Sequence, residues 1–182
     1  MNITVYLAAN RGNDASIENA VRGLATWIGN NGHNLIYGGS KVGLMGVLAS
    51  TALEAGAKVI GVEPQFFIEA CVQAEDLTQL IVTPDMLQRK AKMIELGDAF
   101  VALPGGSGTL EELSEIMSMV SLGHTQAPCI IYNINGYYDL LQQFLQQMID
   151  AGFSTPERQR GISFVTSLDE LAAVLEEYEA TL

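Results

Sequence analysis

A chain of 182 residues, 48% hydrophobic and 16% charged with a net charge of −12, has room for one domain with a substantial core. Such a composition excludes a disordered or low-complexity chain, and the negative field repels nucleic acid and anionic membrane alike. No stretch reaches the roughly 18 consecutive apolar residues that a membrane span requires.

The first residues, Met1-Asn2-Ile3-Thr4-Val5-Tyr6-Leu7, lack the basic region and long apolar core of a leader and read as a first strand. Strand-like runs recur at Ile3–Ala8, Asn34–Tyr37, Lys58–Val62, Gln79–Val82, Ala99–Leu103, Pro128–Tyr132 and Ile162–Val165. Helix-like segments separate them at Ser16–Asn30, Val42–Ala55, Asp85–Leu96, Gly108–Leu122, Tyr137–Asp150 and Ser167–Tyr178. This alternation predicts right-handed βαβ crossovers and a single α/β domain over residues 1–182. Its architecture is a Rossmann-like, doubly wound, mostly parallel sheet of about seven strands with helices on both faces. Ser16 and Ser167 read as helix N-caps, and Gly32, Gly56, Gly97 and Gly152 fall where helices should stop.

Cys71 and Cys129 are too few for a disulfide framework and read as buried thiols of a reducing cytoplasm. His33 and His124 read as surface or turn residues, and no metal site is expected. Of nine lysines and arginines, Arg89, Lys90 and Lys92 fall within four positions, which suggests either a local anion contact or a solvated basic helix face.

Three segments bear chemistry. In Leu103-Pro104-Gly105-Gly106-Ser107-Gly108-Thr109-Leu110-Glu111-Glu112 a strand ends, turns on glycines and opens a helix. Unpaired N–H groups and the positive end of the helix dipole then face whatever anion the glycines admit. Tyr37-Gly38-Gly39-Ser40-Lys41-Val42-Gly43-Leu44-Met45-Gly46 is a second glycine-rich turn, suited to a phosphate or sugar, or merely to a tight helix–sheet contact. In the third, Arg89 and Met93 lie one helical turn apart, and the Arg89 guanidinium can fork onto a phosphate or carboxylate. Lys90 and Lys92 read as surface charges.

Thr109 and Glu112 fit a capping box, which would make Glu112 a helix-start carboxylate. A carboxylate near a bound phosphate costs roughly 1 to 4 kcal/mol at about 4 Å, a cost that a cationic transition state offsets, such as the ribosyl cation of a breaking N-glycosidic bond. Further along, Leu110, Leu113, Ile116, Met117 and Val120 form a core stripe, widened by Met119 and Leu122, whose excess apolar surface suggests a homodimer.

Pro104-Gly105-Gly106-Ser107-Gly108-Thr109-Leu110-Glu111-Glu112 together with Arg89-Lys90 resembles the signature of the LOG (Lonely Guy) family, PGGxGTxxE with an upstream RK pair. The resemblance extends through Tyr37-Gly38-Gly39, Val42-Gly43-Leu44-Met45-Gly46, Asp98-Ala99-Phe100, Leu122-Gly123 and Gly136-Tyr137-Tyr138-Asp139. It implies a Rossmann-type fold, a dimer or larger assembly, and hydrolysis of the N-glycosidic bond of nucleoside 5′-monophosphates, typically cytokinin ribosides, without metal or organic cofactor. Many members carry an older lysine decarboxylase label that the activity does not support.

By position, the resemblance makes Arg89 and Glu112 catalytic. Gly105, Gly106, Ser107, Gly108 and Thr109 would hold the 5′-phosphate, with Gly38, Gly39 and Lys90 also at the substrate. Three places depart from the family pattern: Leu87-Gln88 replaces His-Glu, Leu7-Ala8-Ala9-Asn10 replaces Cys-Gly-Ser-Ser, and Ser118-Met119-Val120-Ser121 replaces Thr-Trp-Ala-Gln.

Two other readings compete. A non-catalytic nucleotide-binding module would keep the phosphate loop and use Glu112 only as a cap. A nicotinamide-dependent oxidoreductase would use Glu63, at the end of the third strand, on a ribose hydroxyl. The glycine spacing after the first two strands, however, does not match the dinucleotide fingerprint.

Overall fold

The computed structural model describes residues 1–70 and 72–182, so Cys71 and the thiol expected there lie outside the described residues. Its strands are β1 (Asn2–Tyr6), β2 (Asn34–Tyr37), β3 (Val59–Pro64), β4 (Gln79–Thr83), β5 (Ala99–Ala102), β6 (Cys129–Tyr132) and β7 (Ile162–Val165). They form one seven-stranded sheet in the order β4-β3-β2-β1-β5-β6-β7, parallel at every pairing. The chain winds outward from β1 to β4, then returns to the other side of β1 with β5. The strand order therefore reverses between β1 and β5, and in open α/β sheets a ligand crevice forms at the carboxyl ends of such a pair.

Two-residue periodicity divides the core between the sheet's faces. Ile3, Val5, Leu35, Tyr37, Val59, Ala99, Val101 and Ile130 point to the layer that holds α1 (Ala15–Asn30), α2 (Gly43–Glu54) and α8 (Leu168–Glu179). Tyr6, Ile36, Val62, Phe100, Ala102, Cys129 and Ile131 point to the opposite layer, where Met93 of α4 (Met86–Leu96) and Leu113 and Ile116 of α5 (Ser107–Ser121) pack. Buried on both faces, the central strands are continuous apolar runs, which is why they were readable.

Local chemistry corrects several details. Asp14, not Ser16, caps α1, its Oδ1 accepting from the Ser16 N–H at 2.9 Å. Ser167 does cap α8. His33 lies in the turn after α1, as expected, but is only 5% exposed: its ring lies 5.1 Å from that of Trp27, and Nδ1 is 3.3 Å from the N-terminal amine. On α5, Leu113 and Ile116 are buried as expected, but Leu110 and Leu122 are exposed.

Two short helices were not anticipated. One is α3 (Gln65–Glu69), directly after β3; the other is α7 (Pro156–Gln159), capped by the Thr155 hydroxyl. The remaining helix, α6 (Asp139–Asp150), follows a 3-10 turn at Ile134–Gly136. Among the described residues, no helix is long and apolar enough to cross a membrane.

Candidate active site

The crevice at the strand-order reversal is a cavity of about 370 Å³. One wall is the start of α5. Its N-cap is Gly106, and no side chain caps it, so the N–H groups of its first turn face the cavity free of a capping side chain. The capping box expected of Thr109 and Glu112 is therefore absent: both residues lie inside the helix and both are buried. Two tyrosines brace the loop from behind. Tyr137 Oη donates to the Gly105 carbonyl at 2.6 Å, and Tyr138 Oη donates to the Leu103 carbonyl at 2.8 Å.

The second element is a buried ion pair. Arg89 Nη1 donates to Glu112 Oε1 at 3.0 Å with both side chains 6% exposed, and Arg89 Nε donates to the Val62 carbonyl at 3.0 Å. The arginine thus ties α4 to the end of β3 and to α5. Burial pushes the Glu112 carboxyl up to about 7, with the Arg89 guanidinium pulling the other way. Glu63 is 1% exposed and is likewise pushed up to about 7 by burial, again opposed by Arg89. Two carboxyl groups thus share the field of one guanidinium.

Glycines make room for these side chains. A β-carbon at Gly38 would collide with Arg89 Nη2, and one at Gly39 with Glu63 Oε2. Beyond Gly39 the turn is laced to the segment after α3, with the Lys41 N–H donating to the Val72 carbonyl and the Ala74 N–H to the Gly39 carbonyl, at 2.8 and 2.9 Å. Phe67 and Val72 are thereby brought to the cavity, where they join Val42, Met45 and Met86 as an apolar wall.

The family model described as "Possible lysine decarboxylase" matches residues 45–175. A cytokinin riboside 5′-monophosphate phosphoribohydrolase of Rhodococcoides fascians is 43% identical over 155 residues, 85% of this chain and 78% of that protein. One from Arabidopsis thaliana is 36% identical over 176 residues, 97% of this chain and 83% of that protein. The chain belongs to the LOG family. The fold is also that of the Moco carrier protein from Chlamydomonas reinhardtii, with a TM-score of 0.74 at 19% identity over 100% of this chain and 98% of that one.

The LOG signature residues are distributed unevenly over the crevice. Gly38, Arg89, Gly106, Ser107, Gly108, Thr109 and Glu112 line the cavity. Gly39 and Gly105 stand behind this lining, the first against Glu63 and the second against Thr109. Lys90 does not reach the cavity. Its side chain is 12% exposed, not the surface charge expected, and its ammonium lies 2.8 Å from Glu111 Oε1 and 3.1 Å from Glu115 Oε2. Those carboxylates, Glu111 foremost, raise its pKa.

Sequence reasoning missed Phe67 and Val72. The only signal for them was the pair Phe66-Phe67 just past a strand's carboxyl end. Tyr137 and Tyr138 were noticed as motif letters, but their hold on the Pro-Gly-Gly loop depends on the fold.

Proposed function

We propose that this protein is a nucleoside 5′-monophosphate phosphoribohydrolase that cleaves the N-glycosidic bond to release free base and ribose 5-phosphate. Its relatives are named for that reaction on cytokinin ribosides. The observation that carries the reading is the buried Arg89–Glu112 pair opening into the same cavity as the uncapped start of α5.

The backbone N–H groups of Ser107, Gly108 and Thr109 bind the 5′-phosphate with the help of the helix dipole. The Thr109 and Ser107 hydroxyls add donors, and the apolar wall takes the base. As the bond from C1′ to the base nitrogen breaks, positive charge grows on the ribosyl group, and the Glu112 carboxylate stabilises it and orients the attacking water. Water's oxygen bonds to C1′ and the departing base leaves protonated, so atoms balance without a further reactant. Arg89 positions the substrate and offsets negative charge on the leaving base. A carboxyl near pKa 7 is matched to proton transfer at neutral pH.

The same reading includes a homodimer in the cytoplasm. Exposed Leu122, Leu140, Phe144 and Phe153 support the dimer, and sedimentation showing only a 19.6 kDa monomer at micromolar concentration would refute it.

The deciding assay incubates the protein with AMP and with isopentenyladenosine 5′-monophosphate and follows free base by chromatography, with Glu112→Gln and Arg89→Ala alongside. Base release that is lost in both variants supports the proposal. Binding without release in the wild type would favour a non-catalytic nucleotide-binding module.

A further inference from the structure

The established family signature has no role for Glu63. This residue stands near the end of β3, is 1% exposed and lines the cavity, yet its Oε2 is buried with no hydrogen-bond partner among the described residues. Native proteins keep few buried polar atoms unsatisfied, and a carboxyl with such an atom in the lining of a cavity points to a ligand that pairs with it. Its position is closely defined. Gly39 backs it so tightly that a β-carbon there would collide with Oε2. Arg89 next to it spends Nε on the Val62 carbonyl and Nη1 on Glu112, and makes no hydrogen bond to Glu63. The guanidinium lends its field and leaves the carboxyl's acceptors free.

A nucleoside monophosphate in this cavity offers three kinds of surface. Its phosphate is matched by the N–H groups of α5, and its base by the apolar side chains of Val42, Met45, Phe67, Val72 and Met86. The sugar remains, and it carries two adjacent hydroxyl donors. A carboxylate, an acceptor with two oxygens, is complementary to such a diol. We propose that Glu63 accepts hydrogen bonds from the ribose 2′- and 3′-hydroxyls and so selects ribonucleotides over deoxyribonucleotides. This rests on the nucleotide reading of the cavity, which it deepens.

The test compares equilibrium binding of ribose 5-phosphate and 2-deoxyribose 5-phosphate by titration calorimetry at pH 8, since neither sugar turns over. The wild type should favour the ribose compound by about 10- to 100-fold, the worth of a hydrogen bond to a charged group. Glu63→Gln, which keeps the volume and removes the charge, should bring that ratio to about threefold or less by weakening the ribose compound alone. Glu63→Asp, which retains the charge but retracts it, should fall between, and it carries the test if the glutamine variant does not fold.

Equal affinities in the wild type, or a glutamine variant that weakens both sugars alike, would overturn the role of Glu63; the second result would make it a support for Arg89. Base release from AMP, measured in parallel, separates the two ideas. If it persists while discrimination is absent, Glu63 alone is misassigned; if the wild type neither binds nor cleaves AMP, the nucleotide reading itself fails.

Discussion

Two glycine-rich turns join a strand to a helix on this molecule, and they use their glycines in opposite ways. In the Pro-Gly-Gly turn Gly105 is packed against Thr109, but beyond it the turn opens a helix whose first N–H groups have no capping side chain, and a β-carbon at Gly106 or Gly108 would meet nothing within 4 Å. That space opens to the cavity. At Gly38–Gly46 the space is already filled by the protein: Arg89 against Gly38, Glu63 against Gly39, the Ala9 backbone against Gly43 and the Lys41 backbone against Gly46. Similar sequence texture thus leaves an uncapped helix start open to the cavity in one place, where we propose the phosphate binds, and in the other builds a close-packed seat for buried charges and a helix start. The tight helix–sheet contact that competed with ligand binding in the second turn does not describe Gly43 and Gly46, which pack on the Ala9 backbone in the loop after β1 and on the Lys41 backbone of their own turn, while Gly38 and Gly39 leave room for the Arg89 and Glu63 side chains.

The sharpest way to break that contrast is Gly43→Ala. Gly43 sits at φ +59 with the Ala9 carbonyl where its β-carbon would lie. A left-handed backbone costs about 1–2 kcal/mol per residue and overpacking about 1–3 more, so the variant should lose about 2–5 kcal/mol in chemical denaturation. An unchanged midpoint would mean that the start of α2 is not fixed against the β1 loop.

Gly38→Ala should act on turnover instead. The added methyl displaces the Arg89 guanidinium from its place beside Glu112, and a misplacement of about 1 Å in a catalytic group costs on the order of 10²-fold. We expect kcat/KM for base release to fall by about that factor, with most of the loss in kcat. A loss confined to KM would mean that Arg89 only gathers substrate.

Glu63 sharpens the same contrast through pH. Because burial raises its carboxyl from 4.5 to about 7, the fold favours its neutral form. Its contribution to stability is therefore full below the unfolded-state value and is lost as pH rises through about 7. Glu63→Gln, neutral at every pH, should match the wild type at pH 4 and exceed it at pH 8 by about 1–3 kcal/mol, roughly 2 to 12 °C in melting temperature. A variant that melts below the wild type at pH 8 would show that the ionised carboxylate is stabilised in place.

Most of the architecture was legible in the sequence because strands buried on both faces must be apolar along their whole length, as Ala99–Leu103 is. Details that depend on competition between neighbours were not. Asp14 outbids Ser16 as a cap although both residue types suit the role, and Glu112 passes over its own helix start for Arg89, 23 residues away. α3 stayed hidden because five residues carry no helical period. The meeting of Glu63 with Arg89 needed the order of the sheet, since nothing local relates the end of β3 to the first turn of α4. The Arg89–Glu112 pairing was suggested by motif resemblance, but its burial, and the shift that burial imposes on Glu112, belong to the tertiary structure.

The smallest expected effect concerns what holds the open turn open. Tyr137 is half exposed, yet its hydroxyl spans 32 residues of sequence to donate to the Gly105 carbonyl. Tyr137→Phe removes that bond without opening a cavity, and because the bond is exposed and Gly105 only partly buried, its carbonyl can turn to water. The stability loss should therefore stay near 0.5–1.5 kcal/mol. The functional loss should fall on KM, rising a few-fold at nearly constant kcat, because the N–H groups proposed to meet the phosphate lose alignment while Arg89 and Glu112 keep theirs. A drop in kcat with KM unchanged would instead place the Pro-Gly-Gly loop in the chemical step, and the division between a wall that binds and a wall that reacts would have to be redrawn.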